Sequence, residues 1–264
     1  MVAVRAPRFV FIWLEEREEH MSSLTILSKL SILLSVLLLS SAAVAQTTIP
    51  ATGLCNTGLT PASPLPIGCT TSVPVTPVNP QSGGTSVDGN WQLATPYPSA
   101  SYTHQAPNPC SLTTFGPAWV DATYSGWFNP NDGLSQWITR EVDEPSAGGW
   151  YIYRTAFPVP PISSPSTYYV LTVTGGLMGD NTTVAIYLEN PSTDRLRCKA
   201  VALPAPEAGS GGSGWAAWNP FSFATTVVPD TSAYLYVLVY NQEASSGNAT
   251  GLRVEFTSAT LTAE

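Results

Sequence analysis

From Val87 onward, apolar and polar residues trade places every second position over short runs, and clusters of Gly, Pro, Asn, Asp or Ser close each run. Period-two alternation bounded by turn residues is the pattern of half-buried strands. It predicts strands over 89–94, 118–122, 135–139, 150–157, 168–174, 183–188, 197–203, 221–227, 235–240 and 252–258. The stretches between them, among them FNPNDG, DEPSAGG, PVPPISSPS, TGGLMGDN, ENPSTD and PAPEAGSGGSG, read as turns and loops. No segment keeps a 3.6-residue apolar period for three turns, and no repeat of solenoid length is present. Short strands at fairly regular spacing predict an all-β fold, a sandwich or a barrel.

The last run is the best patterned. Leu252, Val254 and Phe256 alternate with Arg253, Glu255 and Thr257. In a sandwich the first and last strands often lie side by side and cover edges that would otherwise aggregate. The terminal strand is therefore expected to close the core over a long sequence separation, near Trp91.

The first 86 residues have a different texture. Met21 begins a stretch with Lys29, an apolar run from Leu30 to Leu39, and Ala43-Val44-Ala45 before Gln46. That order matches a secretory signal at 21–45, with an apolar core too short for a comfortable membrane span. Residues 1–20 carry Glu15, Glu16, Glu18 and Glu19, unlike a signal's basic start, and read as a start-site artefact. Residues 46–86 are rich in Thr, Pro, Ser and Gly and read as a spacer. The sandwich domain is expected over 87–264.

Composition narrows the function classes. Charged residues make up 11% of the chain against 44% hydrophobic ones, which favours a folded, β-rich protein over a disordered one. Beyond residue 45 there are six basic and fourteen acidic side chains, a net charge of −8. With so little to neutralise phosphates, nucleic acid is a poor partner. Four cysteines lie in the exported part: Cys55, Cys69, Cys110 and Cys198. An even count in an oxidising compartment favours disulfides. Cys55–Cys69 with Cys110–Cys198 is the preferred pairing of the three connectivities, the first closing a Pro-rich loop and the second pinning the start of the domain to its middle.

Three stretches resemble a known family. GGWYIYRTAFPVP (148–160) is similar to the entering strand of the galactose-binding-like jelly roll. GDNTTVAIYLENP (179–191) resembles a strand of that fold, with Asn190-Pro191 where the family has Asn-Gly. YLYVLVYNQEASSGNATGLRVEF (234–256) resembles its final hairpin, and SQWI and GNW fit the same bacterial secreted proteins. The likeness covers roughly 87–260 by pattern. It implies an antiparallel jelly-roll β-sandwich, a scaffold that hosts sugar binding, adhesion and spacer roles. Many such proteins carry a carboxy-terminal sorting tail; none is seen here, and no anchor is expected at that end.

Candidate chemistry is sparse. Glu141, Asp143 and Glu144 in REVDEP read as a solvated turn ahead of an acid–base pair for glycoside cleavage. His104 is the one His beyond residue 45, and there is no G-x-S-x-G elbow, so Ser hydrolysis is not expected. GSGGSG at 209–214 lacks the Lys and helix of a phosphate loop. Asp180 and Asn181 are candidate oxygen ligands for a structural calcium, with a self-bonded turn as the preferred reading; no cofactor is otherwise expected. Arg154 reads first as a half-buried ion-pair partner and second as a donor to sugar hydroxyls.

Aromatics stand out: eight Trp and eleven Tyr. Their faces stack on sugar rings while polar rims bond hydroxyls. Trp91, Trp137 and Trp150 sit on strands and are expected in the core. Trp127 and Trp215 lie in glycine-bounded loops and are the candidate stacking residues, with Asn129, Asp132 and Asn219 as hydroxyl partners. The leading expectation is a secreted, non-enzymatic binding module, extracellular or periplasmic, for carbohydrate, a cell-surface glycan or matrix. A structural exoprotein without a small ligand is the alternative, and a glycan-acting enzyme ranks third. No membrane contact is expected after signal cleavage, and the pattern fixes no oligomeric state.

Overall fold

The computed structural model describes residues 46–60, 73–74, 86–94, 106–120, 134–140, 148–163, 166–180, 182–190, 198–202, 214–241 and 249–264. They belong to one compact unit, Gln46–Glu264. The strands are β1 (Thr48–Pro50), β2 (Leu59–Thr60), β3 (Val73–Pro74), β4 (Val87–Ala94), β5 (Phe115–Val120), β6 (Ile138–Thr139), β7 (Gly149–Val159), β8 (Tyr169–Asp180), β9 (Thr182–Glu189), β10 (Cys198–Ala202), β11 (Asn219–Val227), β12 (Thr231–Asn241) and β13 (Gly251–Ala263). A 3-10 turn, Pro109–Ser111, precedes β5. The described residues contain no α-helix, and none of their helices could cross a membrane.

Every pairing among the described residues is antiparallel, an arrangement that suits strands with one apolar and one polar face. The strands form one continuous path, β10-β9-β12-β7-β4-β5-β6-β13-β8-β11, with β1 beside β13 and a separate β2–β3 ribbon. Strands β10 and β11, at the two ends of that path, approach each other, so the sheet is barrel-like and nearly closed. The chain changes wall between Asp180 and Thr182: β8 pairs with β11 and β13, while β9 pairs with β10 and β12.

Alternation decides what fills the interior. Trp91, Leu93, Tyr153, Phe157, Leu171, Val173, Leu235, Val237 and Val239 point inward with Leu252, Val254 and Phe256, all buried. Phe256 stacks on Trp91 across the interior, ring centroids 6.4 Å apart. The terminal strand thus meets Trp91 through packing rather than pairing. Its ladder partners are β8 along most of its length, β6 at Leu252 and β1 at its far end.

The described part of the expected spacer, 46–86, belongs to the fold. Residues 47–58 run along the second edge of β13 and are part of the fold. Thr48, Ile49 and Pro50 pair with Thr262, Leu261 and Thr260. The Ala51 amide donates to the Ala259 carbonyl (3.0 Å), and Val254 exchanges bonds with Thr57. Asn56 Oδ1 accepts from the Phe256 amide at 2.8 Å. Leu54 and Thr57 are fully buried, and Trp91 Nε1 donates to the Cys55 carbonyl at 2.8 Å. Here Thr and Asn side chains complete a ladder edge that a propensity reading assigns to a linker.

The glycines of TGGLMGD mark close approach rather than a loop. They lie inside β8. A Cβ on Gly175 would run into the Glu255 carbonyl and the Phe221 ring, and Gly176 sits under the Trp218 indole.

Candidate functional site

The outward side of β4, β7, β12 and β9 is not an ordinary wet face. On β12 the inward positions are Leu235, Val237 and Val239; the outward ones are Tyr234, Tyr236, Leu238 and Tyr240. On β7 the outward set is Trp150, Ile152 and Arg154. Register aligns them across strands: Gln92 opposite Arg154, Arg154 opposite Tyr236, Tyr236 opposite Tyr187. One row of planar polar side chains therefore crosses four strands. Fixed cross-strand neighbours hold such a row with little freedom to lose when a ligand lands.

Arg154 is the centre of the row. Its Nε–H donates to Gln92 Oε1 at 2.9 Å. Its guanidinium carbon lies 3.6 Å from the centroid of the Phe115 ring and 5.0 Å from that of Tyr234. Two aromatic faces thus orient the cation, each contact worth roughly 0.5–1 kcal/mol at a partly exposed site. Tyr236 donates its hydroxyl to Glu189 Oε2. Burial first, and then the bond to Glu189 and its charge, hold the Tyr236 hydroxyl well above its ordinary pKa; Arg154 acts on it in the opposite sense. Tyr236 stays a neutral donor, so Arg154 and Glu189 are linked without touching. Tyr234 and Phe115 flank Tyr236 at ring separations of 6.4 and 6.1 Å.

Beside the row, the outward face is covered. Trp150, Ile152, Tyr236 and Leu238 form a second apolar cluster, packed against Ala106, Cys110, Leu112 and Phe115. The segment 106–115 is a strap over the sheet. The Cys110–Cys198 disulfide fastens it to β10, with the two Cα atoms 5.7 Å apart. This is the pairing preferred from the sequence. Cys55 is also disulfide-bonded, while Cys69 lies outside the described residues. Trp150, expected in the core, is buried but belongs to this outer cluster, edge-on to Tyr240.

The residues singled out from the sequence fall elsewhere. Trp127, Asn129, Asp132 and Asn181 lie outside the described residues, as do the acids of REVDEP. Trp215 is half-buried in the turn before β11, whose Gly214 carbonyl accepts the Gly179 amide at 3.2 Å. Asn219 begins β11, and its amide turns back to the Ala217 carbonyl, 3.3 Å away. In the same turn Trp218 faces Arg253, 5.0 Å from its guanidinium carbon. Arg253 is 1% exposed, and its Nε–H donates to Ser135 Oγ at 2.8 Å, so this loop caps a buried cation. Asp180 is buried at the end of β8, and the described residues hold no group of three His, Cys, Asp or Glu able to bind a metal.

Sequence reasoning passed over Gln92, Phe115, Tyr187, Glu189, Tyr234 and Tyr236 in favour of loop aromatics. A signal was there: Tyr234, Tyr236 and Tyr240 occupy the positions of β12 that alternation assigns to solvent. A strand whose outward positions are aromatic is either covered or used. Here the strap covers one part, buried Tyr236 included, and leaves Gln92 exposed and Arg154, Tyr187 and Glu189 half-buried.

No family model matches this chain, and no curated protein matches it in sequence.

Proposed function

We propose that this chain is a secreted, non-enzymatic binding module of the jelly-roll sandwich type, and that it holds carbohydrate on the outward row centred on Arg154. One observation carries the reading. The half-buried rings of Phe115 and Tyr234 pack on the Arg154 guanidinium beside a fixed line of hydrogen-bonding groups, Gln92, Arg154 and Glu189, with buried Tyr236 holding Glu189 in place. Ring faces take the apolar C–H surface of a sugar, and the line supplies donors and acceptors for its hydroxyls. The sandwich reading is supported by a five-strand stretch (β10-β9-β12-β7-β4) and a three-strand stretch (β13-β8-β11), bridged by the short β5 and β6. Secretion is supported by the disulfides, and by a compact unit that starts at Gln46, directly after Ala43-Val44-Ala45.

The test is retention of the exported protein on a panel of soluble polysaccharides by affinity electrophoresis, for the wild type and for Tyr234→Ala and Phe115→Ala. Loss of a stacking face should abolish most retention, since such open sites bind weakly to begin with. Thermal midpoints control for folding. Wild-type protein that is retained by nothing, or retention that both substitutions leave intact, refutes the reading.

A further inference from the structure

The charge pattern of this face points to the chemical class of its ligand, and the step rests on the carbohydrate reading above. Strands β7, β9 and β12 carry two charged residues between them, Arg154 and Glu189. They lie on the same outward face and share Tyr236: Glu189 accepts its hydroxyl, and Arg154 stands opposite it in the ladder. Lining up Arg154 with Gln92 at one end and Glu189 with Tyr236 at the other leaves a row that is polar along its length and neutral in sum.

We infer that this face selects uncharged glycans, and that Glu189 is the residue that turns acidic ones away. A sugar carboxylate brought to Arg154 gains one cation but also nears the Glu189 carboxylate, which Tyr236 alone separates from Arg154, in a site that the strap and the aromatic rings partly shield from water. Like charges so placed oppose each other by an amount that exposed side chains would screen away. A neutral sugar meets no such penalty. Its hydroxyls can donate to Glu189 and accept from Arg154 at once, which uses both ends of the row. One carboxylate is enough to discriminate, because the rejected class carries the repulsive group itself.

The experiment compares full-length exported protein with Glu189→Gln, using xylan, galactomannan and hydroxyethyl cellulose as neutral probes and polygalacturonate and alginate as acidic ones. The wild type should be retained by a neutral probe, at least about tenfold more tightly than by either acidic one, a difference of about 1.4 kcal/mol. Its neutral binding should hold steady as salt rises from about 20 to about 500 mM. Glu189→Gln, which keeps a carbonyl acceptor for Tyr236, should narrow the gap by about tenfold by gaining affinity for the acidic probes. Should that variant fail to fold, the wild-type preference and its salt dependence decide the matter alone. Wild-type protein that prefers the acidic probes, with binding lost at high salt, overturns this inference and leaves the carbohydrate reading standing. Retention by none of the five overturns both.

Discussion

Replacing Asp88 with Asn separates two opposing effects at one buried carboxyl group. Asp88 sits at the start of β4, 2% exposed. Its Oδ1 accepts the amides of Asn90 (2.8 Å) and Trp91 (3.1 Å), and its Oδ2 accepts the Gly58 amide at 2.6 Å. It therefore ties residues 47–58 to the main sheet. Burial raises its pKa from 3.8 to about 6, against the pull of the three amide donors. A rise of that size corresponds to about 3 kcal/mol between the two protonation states. An acid whose folded pKa is raised favours the folded state fully below its unfolded pKa, and that contribution is lost as pH rises through the folded value. Between pH 4 and 6, wild-type folding should take up close to one proton more than the variant, and its stability should fall relative to Asp88→Asn. The Asn side chain keeps one carbonyl for Asn90 and Trp91 but turns an NH2 group toward the Gly58 amide, at a cost of about 1–3 kcal/mol. Denaturant melts of both proteins at pH 4, 5, 6 and 7, compared pairwise, cancel the titration of all other groups. The wild type should lead at pH 4, and its lead should shrink by about 2–3 kcal/mol by pH 7. A lead that grows with pH would mean that the amide donors outweigh desolvation, and the reasoning would be refuted.

Two further predictions concern stability alone. Phe256→Ala should cost about 3–5 kcal/mol, since the ring is 3% exposed between Trp91 and Phe221, whereas Glu255→Ala on the other side of the same strand should change little; equal small losses in chemical denaturation would show that the carboxy-terminal strand is not part of the core. Removing the Cys110–Cys198 bridge by a Cys→Ser pair should lower stability by up to about 4–5 kcal/mol and raise binding of a hydrophobic dye, as the strap lifts from Trp150 and Leu238; an unchanged midpoint and no added dye binding would mean the strap is held without it.

Period-two alternation, readable residue by residue, determined the all-β class and the inward side of the last strand. It placed Leu252, Val254 and Phe256 in the core because a strand's side chains can only alternate, whatever its partners. Cysteine count and spacing favoured Cys110 with Cys198 once Cys55 and Cys69 were assigned to one small loop. Three things were left to the tertiary structure. Residues 47–58 look like a linker because their ladder partners lie some two hundred residues away on β13, and no local pattern records an edge completed by Thr and Asn side chains. The glycines of β8 look like a loop because what they make room for, Phe221, Trp218 and the Glu255 carbonyl, comes from other parts of the chain. The Arg154 row depends on register. Gln92, Arg154, Tyr236 and Tyr187 come from four separate strands, and only the relative offset of those strands, set by burial of the opposite face, makes them neighbours.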